Sequence, residues 1–129
     1  MEKQVYTVTV TDEKTIWCNA KGQRHRLDGP AVEWADGTTA WYQNDKLHRL
    51  DGPALEYVSG TKGWYQNDRL HRLDGPAVEW TDGDKQWYLN GIELTEREFL
   101  AKTQPTELTL DEIAAKFGIP VEQLKIKKG

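Results

Sequence analysis

Apolar and polar positions alternate along the middle of this chain in short bursts that never reach helical length. Ala31-Val32-Glu33-Trp34 and Thr39-Ala40-Trp41-Tyr42 are rich in aromatic and β-branched residues, and the pattern returns as Leu55, Tyr57, Trp64 and Tyr65, then as Val78, Trp80, Trp87 and Tyr88. Such segments read as strands. Two sets of turn signals punctuate them: Asp36-Gly37, Ser59-Gly60 and Asp82-Gly83, and further on Asn44-Asp45, Asn67-Asp68 and Asn90-Gly91. These residues tolerate the positive φ that two-residue hairpin turns require. The pattern predicts a mainly β fold, a single-layer antiparallel meander with two strands per unit.

The unit has a fixed length. HRLDGPA occupies residues 25–31, 48–54 and 71–77, each copy 23 residues after the last. Three β-hairpin repeats follow, 25–47, 48–70 and 71–94, to be read before any other feature. An odd period cannot keep strand faces in register on a strictly alternating chain. Asp-Gly-Pro is therefore expected to hold a bulge or sharp bend, and Pro30, Pro53 and Pro76, lacking an N–H, suit that interruption.

If Asp36-Gly37 is a two-residue turn, Trp34 faces Thr39, Val32 faces Trp41 and Ala31 faces Tyr42. One face then carries Val32, Trp34 and Trp41, and the other Ala31, Glu33, Ala40 and Tyr42. Pairing Tyr42 with Leu47 through the Asn44-Asp45 turn sets His48 on the tryptophan face and Arg49 on the face of Glu and Tyr. The tryptophan stripe is too large to leave in water: curling of the sheet or packing of terminal helices is expected to bury it, with a docking surface formed by these rings as the alternative. The other face becomes the candidate partner-binding surface: Arg26, Arg49 and Arg72 with Tyr42, Tyr65 and Tyr88 and with Glu33, Glu56 and Glu79. The same arginines and glutamates, with Asp28, Asp51 and Asp74, also suit an ion-pair ladder worth roughly 0.2–1 kcal/mol per cross-strand pair.

Stacked repeats need caps. Val5-Tyr6-Thr7-Val8-Thr9-Val10 alternates as a strand and Thr15-Ile16-Trp17-Cys18-Asn19 can return beside it, so residues 1–24 read as an N-terminal capping hairpin. Residues 95–129 read as a helical cap and tail. Thr95-Glu96-Arg97-Glu98 and Thr109-Leu110-Asp111-Glu112 are capping-box signatures for two short helices. The segment from Thr109 to Ile126 resembles the first half of a helix-turn-helix and the helical pair of a LysM module.

Composition narrows the classes. The 129 residues include six Trp and five Tyr, which supply buried area that a modest apolar fraction would not. A single cysteine, Cys18, excludes an intramolecular disulfide framework and suits a reducing compartment. No apolar run is long enough to span a membrane and Met1–Val10 has no signal-peptide h-region. The expectation is a cytoplasmic protein, in the host cytoplasm if viral. The net charge is −4, and residues 25–94 hold seven Lys or Arg against twelve Asp or Glu, which disfavours an electrostatic grip on nucleic acid or anionic lipid.

No constellation suggests catalysis. His25, His48 and His71 recur at two strand spacings, about 10 Å, whereas zinc ligands lie about 2 Å from one ion. A symmetric ladder repeats identical groups, while an active site converges different ones. No phosphate-cradling glycine loop is present. The expectation is a protein that is not an enzyme, with no cofactor and no metal.

The stretch DG-x4-WY-x-N-G/D-x-L-H-R-x-DGPA resembles a divergent MORN repeat and, more closely, the DGPA-type repeats of bacteriophage and giant-virus proteins, over roughly residues 17–99. The resemblance implies stacked hairpins and says little of activity. Replacement of the MORN HG-x-G by HR-x-DGPA leaves lipid binding and kinase coupling uncarried. The phage likeness implies a counter-defence protein, a non-catalytic scaffold that inhibits or sequesters a partner protein. Two alternatives stand beside it. One is a sponge for a small nucleotide signal, held between Arg and aromatic side chains, with a homo-oligomer interface as a place for it. The other is a DNA-associated regulator acting through the C-terminal helices.

Overall fold

The computed structural model describes residues 5–104. In chain order the strands are β1 (Thr7–Val10), β2 (Lys14–Cys18), β3 (Val32–Trp34), β4 (Thr39–Ala40), β5 (Tyr42–Gln43), β6 (Lys46–Leu47), β7 (Leu55–Glu56), β8 (Lys62–Gly63), β9 (Tyr65–Gln66), β10 (Arg69–Leu70), β11 (Val78–Glu79), β12 (Lys85–Leu89) and β13 (Ile92–Leu94), followed by helix α1 (Glu96–Thr103). The chain is mainly β, with one open antiparallel meander sheet in the order β1-β2-β3-β4-β7-β8-β11-β12-β13. The small pairs β5-β6 and β9-β10 stand apart from it.

The second set of turn signals behaves as expected. Asn44 and Asp45 have φ of 49° and 68°, Asn67 and Asp68 of 50° and 67°, and Asn90 and Gly91 of 50° and 80°. Two consecutive positive φ values define the type I′ hairpin that Asn-Asp and Asn-Gly favour. Tyr42 pairs with Leu47 and Leu89 with Ile92 across these turns.

The first set differs, and the difference reorganises the sheet. Trp34 N–H donates to Thr38 O at 2.9 Å and Gly37 N–H to Trp34 O at 3.0 Å, so Ala35, Asp36 and Gly37 form a three-residue loop. Only Gly37 has positive φ, 99°, as do Gly60 at 101° and Gly83 at 95° in the equivalent loops. Val32 therefore pairs with Ala40 and Glu33 with Thr39, one residue away from the pairing that a two-residue turn would give. A one-residue slip moves a whole strand's side chains to the other face. The expected faces hold for β3 and are exchanged beyond the turn: Val32 and Trp34 share a face with Ala40 and Tyr42, while Glu33 shares the opposite face with Trp41.

The core is thin. Ala31, Val32, Ala40, Ala54, Ala77, Val78 and Phe99 are buried, and among the described residues no large side chain is fully enclosed. The expected burial of the whole aromatic stripe does not occur, for Tyr57 and Trp80 remain 49% and 48% exposed.

Leu27, Asp28 and Gly29 form a bend before Pro30, and both later copies of the heptapeptide bend at the same place. Residues 5–24 contain the antiparallel hairpin β1-β2, in which Thr7 pairs with Cys18 and Val10 with Thr15. At the other end Thr95 caps α1: its hydroxyl accepts from Glu98 N–H and the Glu98 carboxylate accepts from Thr95 N–H. The helix packs on β12 and β13. The second expected helix and the segment that resembles a helix-turn-helix lie outside the described residues. Among those residues no helix is long and apolar enough to cross a membrane.

Candidate functional site

The repeated Arg is held by its own loop. Arg49 Cζ lies 3.9 Å from the centroid of the Trp41 ring. Its Nε donates to Asp51 at 2.9 Å and its Nη1 to the Pro53 carbonyl at 3.1 Å. Arg26 repeats this on Trp17, Asp28 and Pro30, and Arg72 on Trp64, Asp74 and Pro76. Glu33 and Glu79 accept from Arg26 and Arg72 at 3.2 Å each, and Glu56 forms a longer pair with Arg49 at 4.0 Å. The guanidiniums hold the Asp51 and Asp74 carboxyls below the ordinary carboxylate range.

Histidine closes each unit on its own turn, and the turn residues join one unit to the next. His25 Nδ1 accepts from Asn44 N–H at 3.0 Å, and the same bond links His48 to Asn67 and His71 to Asn90. Asp68 N–H donates to Leu47 O while Leu47 N–H donates to the Asp68 carboxylate, and Asp45 makes the same reciprocal pair with Arg24. The side-chain bond to Arg24 also depresses the Asp45 carboxyl. Histidine thus serves as a hydrogen-bond acceptor within its own unit, and the turn aspartate links that unit to the one before it.

The structure divides the predicted binding set in two. Arg26, Arg49, Arg72, Glu33, Glu56 and Glu79 lie together on the face of Trp17, Trp41 and Trp64. Their arginine side chains are only 19–22% exposed. Tyr42, Tyr65 and Tyr88 lie on the other face, where Arg24 rather than a heptapeptide arginine covers a tyrosine, its Cζ 4.1 Å from the Tyr42 centroid.

That tyrosine face carries an open apolar groove, and a groove of about 570 Å³ lies between the bends at Leu50 and Leu73 beside Arg49 and Arg72. The apolar groove, of about 500 Å³, runs between the second and third units. Leu55, Leu70 and Val78 line its apolar part, Tyr57 and Trp80 stand half exposed along it, and Tyr65 and Tyr88 complete the aromatic lining. Gly63 matters here, because a Cβ at that position would fall 2.8 Å from the Tyr65 ring. Trp80 Nε1–H donates to Gln86 Oε1 at 2.8 Å, which orients an amide in the groove wall. Burial raises the Tyr65 hydroxyl above its ordinary range, and the bond to Glu93 raises that of Tyr88, so both are held in the neutral donor form. Leu55, Leu70, Val78 and Gln86 were not expected in a site. The register of the three-residue loop brings them there.

A second exposed stripe runs along the bends, where Leu27, Leu50 and Leu73 are 49%, 75% and 64% exposed. No protein-family model, curated protein or solved structure matches this chain.

Proposed function

We propose that this chain is a non-catalytic binding scaffold of MORN-like hairpin repeats that engages a partner protein through the groove between Tyr57 and Trp80. The observation that carries this reading is the half exposure of those two rings beside an apolar floor. Large aromatic side chains left open around a desolvated pocket are the residues that dominate binding energy at interfaces. The groove supplies contact area and hydrogen-bond donors rather than a nucleophile with its base. Occupying a partner's recognition surface makes such a scaffold an inhibitor or a sequestering protein, and the likeness to bacteriophage repeats directs the search toward host defence proteins.

The contact surface in this reading differs from the Arg, Tyr and Glu surface expected of the sequence. The heptapeptide arginines already spend their charge on Trp, Asp and a proline carbonyl, which favours a structural role for them. The nucleotide reading drew on Arg26, Arg49 and Arg72 beside Tyr42, Tyr65 and Tyr88; these arginines lie on the opposite face, and Arg24 over Tyr42 is the arginine that stands beside a tyrosine.

Native mass spectrometry after incubation with host lysate tests the proposal when wild type is compared with Tyr57→Ala/Trp80→Ala and Leu50→Ser/Leu73→Ser. The expected result is a partner of tens of kilodaltons retained by wild type and the leucine variant and lost by the aromatic variant. Retention by a folded aromatic variant would overturn the groove as the contact surface.

A further inference from the structure

The groove has a pitch as well as a chemistry. Trp34 ends β3, and Tyr57 and Trp80 directly follow β7 and β11 on the same sheet face. The sheet order β3-β4-β7-β8-β11 puts two strand steps between successive members of this row. At about 4.7–4.9 Å per step the rings recur roughly every 9.5 Å. A polyproline II helix rises about 3.1 Å per residue with three residues per turn, so it repeats roughly every 9.3 Å. One turn of that helix matches one repeat of this protein.

Resting on the groove as the contact surface, we propose that it binds a basic proline-rich segment in the polyproline II conformation, lying across the strands. Pyrrolidine rings pack on Tyr and Trp faces, and the helix is already extended, so little ordering entropy is lost on docking. Its carbonyls have no internal hydrogen bonds and need donors from the protein. Gln86, whose oxygen is taken by Trp80, presents its amide nitrogen, and the neutral hydroxyl of Tyr65 presents another donor. Charge selects a basic peptide. Among the described residues, the one charged residue in the groove lining, Lys62, stands in register between Glu56 and Glu79, Asp82 and Asp84 flank Trp80 in its exposed turn, Glu93 flanks Tyr88, and the repeats hold twelve acidic residues against seven basic ones. Sheet twist, about 20–25° per strand, turns successive rings away from one line, so the footprint is confined to Tyr57 and Trp80 and covers about six residues.

The test uses a fluorescein-labelled peptide of four Pro-Pro-Arg triplets, with four Gly-Gly-Arg triplets as the control of equal charge, titrated against the full chain by anisotropy. The proline peptide should bind at least tenfold more tightly than the glycine peptide. Tyr57→Ala and Trp80→Ala should each weaken it at least tenfold, Trp80→Phe by less, and Leu50→Ser/Leu73→Ser should leave it unchanged. Equal affinity for the two peptides, no binding of either, or binding indifferent to Tyr57 and Trp80 overturns the proposal. Competition separates it from the reading beneath it. A lysate partner that is lost on Tyr57→Ala/Trp80→Ala but is not displaced by the proline peptide leaves the groove as a protein-binding site and removes the proline specificity. A partner indifferent to both removes the groove itself.

Discussion

Arg49 sits over Trp41, its Cζ 3.9 Å from the ring centroid, while its two ends reach Asp51 and the Pro53 carbonyl within the same heptapeptide. One planar cation thus covers the indole of the preceding unit and ties down the loop that leads to the next strand. A lysine cannot do both, because a single ammonium lacks the fork that donates in two directions. Arg49→Lys should destabilise the fold by about 1–2 kcal/mol, the range of a partly buried cation–π contact with a lost hydrogen bond. Urea unfolding of wild type, Arg49→Lys, Trp41→Leu and the double variant checks it. Strict additivity in that cycle would mean that the pair is not coupled.

The heptapeptide glycine follows from the same contact. A Cβ on Gly52 would lie 2.8 Å from Arg49 Cζ, and Gly29 and Gly75 face Arg26 and Arg72 at 2.7 and 2.8 Å. The obstructing atom is the end of a flexible side chain, so Gly52→Ala should push Arg49 off Trp41 rather than break the backbone. The expected cost is about 1–2 kcal/mol in the wild-type background, by loss of the stack and its bonds. In an Arg49→Ala background it should nearly vanish. An undiminished cost there would point to backbone strain instead.

This arrangement explains which parts of the fold were legible in the sequence. Asn44-Asp45 and Asn90-Gly91 announce type I′ turns because few other residue pairs accept two positive φ values. The Thr95 and Glu98 capping box is equally local. Asp36-Gly37 is ambiguous, since the same dipeptide serves as a two-residue turn or as the last two residues of a three-residue loop. That one-residue choice decides whether Tyr42 or Trp41 shares a face with Val32, and it moved Tyr65 and Tyr88 away from the arginines. The large tryptophans implied a cover, but composition does not distinguish a second layer from an arginine laid over Trp17, Trp41 and Trp64. The groove became visible only once the register was known.

The loop glycines offer a test of the backbone alone. Gly83 has φ of 95° and no heavy atom within 4 Å of a Cβ built on it. Gly83→Ala therefore changes no packing and should cost about 1–2 kcal/mol through the left-handed conformation. Gly83→Asn should cost less, because asparagine tolerates that region. Thermal unfolding of the two variants gives the comparison, and equal losses would contradict the conformational explanation.

The carboxylates set the acid limit. Asp45, Asp51 and Asp74 are each held below their ordinary value near 3.8 by an arginine. A group with a depressed folded pKa stabilises fully above its unfolded pKa and loses that contribution as pH falls through the folded value. Stability should fall as pH drops below about 4. Asp51→Asn/Asp74→Asn should be less stable than wild type near neutrality and should lose less on acidification, since its amides still accept from Arg Nε without titrating. Chemical denaturation across that range makes the measurement, and parallel pH curves for the two proteins would remove the assignment.

Histidine provides the last and most local test. In each unit Nδ1 accepts a backbone N–H from the first residue of that unit's own type I′ turn: Asn44 to His25, Asn67 to His48 and Asn90 to His71, at 3.0, 3.2 and 3.0 Å. An accepting Nδ1 carries no proton, so the neutral ring must be the Nε2–H tautomer in all three units. Long-range nitrogen-proton NMR in mildly alkaline buffer reads the tautomer directly, and an Nδ1–H signature at any of the three would show that the bond is not made there. Removing the acceptor should also act far along the chain. His48→Ala leaves the Asn67 N–H without its partner, which should cost about 1 kcal/mol. Amide exchange should then speed up at Asn67, 19 residues away in sequence from the substituted residue, while Asn44, whose acceptor His25 is intact, keeps its protection.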